Sequence, residues 1–452
     1  MICLPNLPPY PRNFSGNSFQ LSPELLSERS SLTQFAEPSR GGLLDYVDKL
    51  EQYLDKIFTY IKKKNLISST DDGIQVACQQ IICETNEIPW IDILFYDVNT
   101  ESRTLNKVLK SRSTPKDKID WSLANELQAI VLAIVSIYIR LGSNMINDLI
   151  EVNEVTTREQ VEEGWKKVVE SYKKAISFCK FGRSLCEKPG GGTPMNPIVF
   201  LYFEKISEIC IQISILCKCS AFNRYSYNES ENFKSGNNGT LARVAIYILS
   251  ELKSSRCLLN ELEDAQNSLG LNYKLWTEYL NLIEKYIAAY AGLFLSIESY
   301  QRNELGKAIG LVNFSLLSLQ SKQISELNLK GLKVVGRFKN KFLEKKNEDF
   351  IKTLKSNTSM KIESSAFKES SGVVLKDLSY LFDQLVRLHL KFSKENDNLS
   401  FQTVEPYKDI ATDLKWPMGS KIPMSEVTTY EPSINLDLNE DLKCYPGRGT
   451  YY

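Results

Sequence analysis

The single histidine, His389, is the first residue to consider, because most general-base triads and histidine metal sites need an imidazole. It lies in the apolar helical pattern that runs from Leu381 to Leu390. That setting indicates a structural residue of a helix, either packed or at the surface. With one imidazole in 452 residues, the composition disfavours ordinary hydrolase chemistry.

The cysteines could in principle bind a metal or react as thiols. The ten are Cys3, Cys78, Cys83, Cys179, Cys186, Cys210, Cys217, Cys219, Cys257 and Cys444. None belongs to a Cys-x-x-Cys pair, and Cys217 and Cys219 have no matching second pair to complete a four-ligand site. Most lie in apolar helical patterns, so we interpret them as reduced, buried small hydrophobes. No metal and no cofactor is predicted.

A glycine run between Lys188 and Pro194 is the one phosphate-binding candidate, because backbone N–H groups of such loops can hold phosphate. The run follows a helical pattern rather than a strand, and it lacks the Gly-Lys-Ser/Thr ending of a P-loop. We therefore interpret it as a connector between helices.

Charge and hydropathy limit the partners. Lys and Arg total 55, as do Asp and Glu, so the chain has no global field for polyanions and no nucleic acid is predicted. The apolar run Ala129 to Ile139 is too short to span a bilayer and predicts a buried helix. The N-terminus has no basic segment followed by a long apolar run, so we expect a cytoplasmic protein. Basic clusters at Lys62–Lys64 and Lys339–Lys346 allow peripheral membrane contact at most.

Helical periodicity supplies the elements that would position any site. Prolines crowd the first forty residues and return after Pro406, where such segments wrap over a core or fray. Between them, apolar spacing from Leu43 to Ile61 predicts one helix. The segment Ile88 to Phe95 fits either a strand of a small β-hairpin or a turn. Further helices are predicted over 121–150, 158–187, 195–222, 240–269, 272–300, 304–321, 324–355 and 372–394.

Small residues recur where neighbouring helix backbones could approach each other. They are Ala175, Gly292, Gly306, Ala308 and Gly310. The pattern is typical of tetratricopeptide-like helix pairs, although no strict repeat is visible. The sequence thus predicts an all-α, elongated α-solenoid, whose concave face commonly binds a helix or peptide of a partner.

Several segments, in order, resemble the BRO-type (ALIX-like) domain family. The segments are Gly42–Leu54, Pro89–Phe95, Trp121–Leu127 with the apolar run after it, Glu163–Ala175, Gly306–Val312 and Lys394–Pro406. The last is similar to the family's KENDFIYHxxVP block, but Asn398 replaces its Phe and Ser400-Phe401 replace its Ile-Tyr. The resemblance implies a boomerang-shaped helical domain over 1–430, with the segment 1–40 wrapping the core and 431–452 as a short tail. The compact layout resembles the short fungal members of the family.

The resemblance also implies a function. BRO-type domains bind the C-terminal amphipathic helix of the Snf7-type ESCRT-III subunit, and their short fungal members act in ambient-pH (Rim/Pal) signalling. The implied protein is a non-enzymatic adaptor that is recruited to endosomal or plasma membranes and promotes proteolytic activation of a PacC-type transcription factor. Other pH-signalling components at the plasma membrane or endosome are further implied partners.

Position by position, the resemblance nominates residues for binding the ESCRT-III helix. They are Ile209, Cys210, Ile213, Leu241, Arg243, Val244, Ile248 and Val312. Apolar residues at helical spacing also form cores, so both interpretations of the apolar members stay open. Arg243 fits either an ion pair with the partner or a solvated surface charge.

Three alternative functions remain open. A general endosomal-sorting (multivesicular body) adaptor would use the same surface, and a structural helical-repeat subunit would form a constitutive complex. An enzyme would need paired carboxylates or an activated thiol, and no spacing in the sequence nominates them.

Overall fold

The computed structural model describes most of the chain, in stretches separated by gaps. The described residues are 4–12, 19–33, 39–65, 78–85, 87–96, 119–150, 158–186, 196–229, 237–264, 268–319, 371–410 and 416–432.

Long α-helices make up most of the described chain. They are α1 (Pro23–Ser31), α2 (Arg40–Asn65), α3 (Leu123–Ile150), α4 (Arg158–Cys186), α5 (Pro197–Glu229), α6 (Asn238–Asp264), α7 (Tyr273–Gln301), α8 (Leu305–Ser318), α9 (Ser371–Glu395) and the single turn α10 (Tyr407–Ile410). The bounds of α3 to α9 agree with the predicted helices to within a few residues, except at the ends of α5 and α6. The helix predicted over 324–355 lies outside the described residues.

Successive helices pack on one another in chain order. From α3 to α9, each helix packs against the next, and α2 packs on α3. Their buried faces merge into one hydrophobic core that extends from Leu4 to Phe392. The predicted all-α, solenoid-type array is confirmed.

Short strands pair separate segments of the N-terminal part with one another and with the segment between α6 and α7. They are β1 (Tyr10–Pro11), β2 (Ile81–Thr85), β3 (Trp90–Ile91), β4 (Leu94–Tyr96), β5 (Ile119–Ser122) and β6 (Ser268–Gly270). They form three antiparallel pairs, β1 with β3, β2 with β5, and β4 with β6. The strand interpretation of Ile88 to Phe95 is therefore right. A residue with positive φ, Asp92, separates β3 from β4.

A buried carboxylate holds the N-terminal part together. Glu126 on α3 accepts hydrogen bonds from Arg29 on α1 (2.8 Å) and from the indole N–H groups of Trp90 (2.9 Å) and Trp121 (2.8 Å). Tyr53 of α2 donates a fourth bond at 3.4 Å. Arg29 also donates to two backbone carbonyls, so both charged groups have hydrogen-bond partners, as buried charges require.

Helix starts are set by short-range side-chain caps. Ser122 and Asn125 bond each other's backbone N–H reciprocally at the start of α3, which satisfies donors that the helix leaves unpaired. Ser22 caps α1, which then continues with a proline at its first position. Asn272 caps α7 by accepting from Leu275 N–H at 3.2 Å.

Glycines allow the close approaches predicted from the sequence. A Cβ added at Gly292 of α7 would lie 2.0 Å from Ser315 Oγ of α8. At Gly306 and Gly310 of α8, it would lie 2.2 Å from Thr403 O and 2.6 Å from Glu405 O. These glycines therefore set how closely α8 packs on α7 and on the segment after α9.

That segment is a hydrogen-bonded turn, and it makes up most of the Lys394–Pro406 block. A π-helical turn, Asn396–Ser400, ends at Phe401, which has a left-handed φ of 53°. The Asn396 side chain donates to Gln402 O and accepts from Gln402 N–H, both at 2.9 Å. The Gln402 side chain then accepts from Gly306 N–H and donates to Asn303 O. The block thus fastens the end of α9 to the start of α8.

Within the described residues, two helices, α3 and α7, are long and apolar enough by length and composition to cross a membrane, but 89% and 67% of their apolar windows are buried inside the fold. Such burial is typical of core helices. The predicted buried run Ala129 to Ile139 lies in α3 and is buried throughout. His389 is also packed inside, and burial lowers its pKa to about 4.

Eight cysteines lie in the described part of the chain, and none of them forms a disulfide; Cys179, Cys210 and Cys217 are fully buried. Cys3, Cys444, the Lys188–Pro194 run, the Lys339–Lys346 cluster and the tail 433–452 lie outside the described residues.

Candidate partner-binding face

The seven apolar residues predicted to bind the partner are all buried. Ile209, Cys210, Ile213, Leu241, Val244, Ile248 and Val312 are each at most 4% exposed. Helix α5 is apolar on nearly every side, and it packs between α4 and α6 while also touching α3. In this conformation the seven side chains therefore belong to the core and line no open groove. Their contact with a partner stays a prediction.

The structure brings these residues together only in part. Helices α5 and α6, which carry six of the seven residues, pack directly on each other. Val312 lies on α8, and α7 packs against both α6 and α8. The predicted set is thus distributed over two layers of the array rather than along one stripe.

Arg243, the eighth predicted residue, is exposed on α6. It lines a surface cavity of about 360 Å³ at the start of that helix, together with Glu298 and Arg302. Arg302 forms an ion pair with Glu298 across one helical turn. Arg243 is therefore the one predicted residue whose side chain is exposed in this conformation.

The outer sides of α5 and α6 are linked by charge. Lys205 of α5 bonds Glu251 of α6 and lies 3.8 Å from Glu208. Burial works to lower the pKa of Lys205, but the hydrogen bond and the charges of the two carboxylates outweigh it and raise that pKa. Burial and Glu251 raise the pKa of Tyr247, on the same side. The face is therefore a mixed surface of charges and one aromatic ring.

An extended segment, residues 416–430, crosses these helices; we refer to it as the strap. It begins near α8, where the Trp416 indole donates to Ile410 O at 2.6 Å and meets the Phe314 ring edge-on. On α6, Ser420 N–H donates to Arg243 O at 3.1 Å, and Gly419 lies so close that an added Cβ would be 2.7 Å from the Tyr247 backbone.

On α5, the strap is held by Gln212. The Gln212 side-chain amide donates to Ile422 O at 3.1 Å and accepts from Ile422 N–H at 3.0 Å. A side chain here pairs with the backbone as a neighbouring strand would. Gln212 is 4% exposed, whereas Glu208 and Ile215 on the same side of α5 are partly exposed.

On α4, polar side chains bind the strap backbone. Lys180 donates to Val427 O at 2.7 Å, and Ser177 Oγ donates to Thr428 O at 2.8 Å. Lys173 donates to Ser425 Oγ at 2.6 Å. The strap thus crosses α6, α5 and α4 in the reverse of chain order.

The strap ends on an aromatic anchor. Tyr430 stacks on Phe178 of α4 with ring centroids 4.1 Å apart and meets Phe181 edge-on. Its hydroxyl donates to Asp55 of α2 at 3.1 Å. Burial and the negative charge of Asp55 raise the pKa of Tyr430, so its hydroxyl stays protonated at neutral pH.

Sequence reasoning predicted that the proline-bearing end would wrap over the core or fray, but it missed the strap as part of the site. A signal was available in the spacing of Ile422, Met424, Val427 and Tyr430, which all pack against the core between exposed neighbours. The two-residue step from Ile422 to Met424 is typical of an extended segment with one buried face, whereas the later steps are three residues long.

Within the described residues, no group of three or more His, Cys, Asp or Glu side chains is placed to hold a metal ion. The Glu126 cluster, the most prominent buried charge pair, has hydrogen-bond partners on every side and is structural.

The fold and the strap-covered face define a protein of the stacked-helix array class. The chain belongs to the family described as "Family of unknown function (DUF5355)", whose profile matches residues 121–452. A curated relative is the pH-response regulator protein palC of Yarrowia lipolytica (strain CLIB 122 / E 150). The two are 23% identical over 162 residues, which cover 35% of this chain and 26% of palC. The predicted resemblance, to the BRO type and to its short fungal members, is confirmed by this match.

Two solved structures of ALIX show low similarity to this chain. An ALIX BRO1 CHMP4C complex is 13% identical, with a TM-score of 0.47, over 92% of this chain and 88% of the other. ALIX in complex with the SIVmac239 PYKEVTEDL late domain is 14% identical, with a TM-score of 0.49, over 92% of this chain and 45% of the other.

Proposed function

We propose that this chain is a non-enzymatic adaptor of the fungal ambient-pH (Rim/Pal) pathway. In this proposal, it binds the C-terminal helix of a Snf7-type ESCRT-III subunit and thereby promotes proteolytic activation of a PacC-type transcription factor. It acts from the cytoplasm and is recruited to endosomal or plasma membranes through that subunit. The observation that carries the proposal is the similarity to palC, a pH-response regulator.

Helix-in-groove recognition is the physical basis of the proposed binding. An amphipathic helix binds through a few apolar anchors with charges around them, and a rigid helical array needs little reorganisation to accept it. The outer side of α5 and α6 offers Tyr247 as an aromatic contact, flanked by Arg243, Lys205 and Glu251. We place the partner helix on this side, in front of the buried apolar residues of α5 and α6.

A labelled peptide of the partner's C-terminal helix tests this placement by fluorescence anisotropy. We expect a dissociation constant in the micromolar range, typical of transient adaptor contacts, or about −8 kcal/mol. Arg243→Glu reverses a charge on the proposed face and should weaken binding by about tenfold, mainly through slower association. Lys253→Glu makes the same change at an exposed position farther along α6 and serves as the matched control. Equal loss in both variants would contradict the placement.

The apolar predictions need a different readout, because Val244 and Val312 are buried. An aspartate at either position would bury an unpaired carboxylate and unfold the array rather than report on binding. A folded Val244→Asp variant that had lost the peptide would instead favour direct contact by this residue.

A cellular measurement separates pH signalling from general endosomal sorting. Cells lacking this chain should fail to process the PacC-type factor after a shift to alkaline medium, while sorting of a multivesicular-body cargo continues. Intact processing together with defective sorting would favour the sorting adaptor. A complex that survives purification at high salt would favour the structural helical-repeat subunit.

A further inference from the structure

The strap is bound to the helical array in the way that a separate peptide would be. Its backbone is held by side chains of the helices, namely Gln212, Lys180 and Ser177. Such contacts recognise any extended chain, as in strand addition to a sheet edge, and depend little on the sequence of the strap.

The strap is held less firmly than the core elements are. Every residue from 416 to 432 is partly or fully exposed, including the anchors Ile422, Val427 and Tyr430. Elements with few buried apolar contacts and solvent-exposed backbone bonds open more readily than core helices. The strap can therefore leave without unpacking α4, α5 or α6 from one another.

The strap also covers the side of α5 and α6 on which the partner helix is placed. It passes over Gln212 on α5, and over Arg243 and Tyr247 on α6. A partner helix about 10 Å wide cannot lie on this side while the strap occupies it.

We propose that the strap is a displaceable cover that competes with the partner helix for the outer side of α5 and α6. This inference rests on the proposed function and adds regulation to the same site. Because the partner binds only molecules whose strap is open, its apparent dissociation constant equals the intrinsic one divided by the open fraction. Changes that loosen the strap should then tighten partner binding.

Strap opening can be measured without any partner. Val427→Asp places a carboxylate against the core, whereas Thr429→Asp adds the same charge at an exposed position of the strap. In the full-length chain, hydrogen exchange at the Ile422 and Tyr430 amides should accelerate at least tenfold in Val427→Asp and stay at the wild-type rate in Thr429→Asp. Unchanged melting would show that the helices remain packed. Tyr430→Ala, which removes the aromatic anchor, serves as a second loosening variant.

Titration of the labelled partner helix then tests competition. We expect both loosened variants to bind about tenfold more tightly than wild type, and Thr429→Asp to bind like wild type. Equal or weaker binding by variants whose strap exchange has accelerated would overturn the cover and leave the proposed function standing. Absence of binding by all forms would reject the proposed function, and with it the competition between the strap and this partner helix.

Discussion

Removing the positive charge from the buried Arg29–Glu126 pair should destabilise the protein strongly. The two side chains are 5% and 0% exposed, and the pair distance is 2.8 Å. In Arg29→Met, Glu126 keeps the Trp90 and Trp121 donors but loses its counter-charge. A buried charge left uncompensated in this way costs about 3–5 kcal/mol, a large part of a typical free energy of unfolding.

Urea unfolding, followed by tryptophan fluorescence, measures this cost, since two of the indoles lie in the cluster. The matched control is Lys49→Met, which breaks an exposed pair with Asp45 of nearly the same distance, 2.7 Å. We expect that variant to lose less than about 1 kcal/mol, because water already screens the exposed pair.

A double-mutant cycle refines the test. Glu126→Gln removes the negative charge that Arg29→Met leaves uncompensated. The double variant should therefore lose at least about 1 kcal/mol less stability than the sum of the two single variants. An additive cycle, or an Arg29→Met cost as small as that of Lys49→Met, would refute the idea that this pair holds the N-terminal part together.

Three further outcomes are expected. Gly306→Ala places a methyl group against the Thr403 carbonyl and should cost about 1–3 kcal/mol in thermal melts. Gly41→Ala, which has open space around it, should be neutral or slightly stabilising. Equal effects of the two changes would contradict the close approach at Gly306. Asn396→Ala removes both side-chain bonds to Gln402 and should cost about 1–3 kcal/mol, measured by urea unfolding; a loss below about 0.5 kcal/mol would show that the turn holds without them. Burial lowers the pKa of His389 from 6.5 to about 4, so the unfolded chain binds the proton at a higher pH than the folded chain does. Stability should therefore fall by up to about 3 kcal/mol as the pH drops from about 6.5 to 4. His389→Leu should flatten this decline in stability, and an unchanged slope would refute the explanation.

The helices were predictable because their signals are local. Apolar spacing placed the run Ala129 to Ile139 inside α3, and the small residues Gly306 and Gly310 indicated the contacts that α8 makes. Periodicity could not assign Cys210 and Val244 to core or interface, because α5 and α6 are buried on several sides and an apolar stripe is the same in either case.

The path of the strap could not be predicted from the sequence for a different reason. Its bonds join residues far apart in sequence, such as Ile422 and Gln212, which are 210 residues apart. No local preference encodes which helix an extended segment will cross, because the choice depends on the assembled array. Burial of the predicted apolar residues is likewise a property of the packed helices rather than of any one of them.

Calorimetric titration of the partner's C-terminal helix into the full-length chain tests the central claim most directly. The adaptor account predicts saturable one-to-one binding in the micromolar range with a negative heat-capacity change, as apolar burial requires. A titration without saturable heat at several temperatures, with the chain folded throughout, would contradict it.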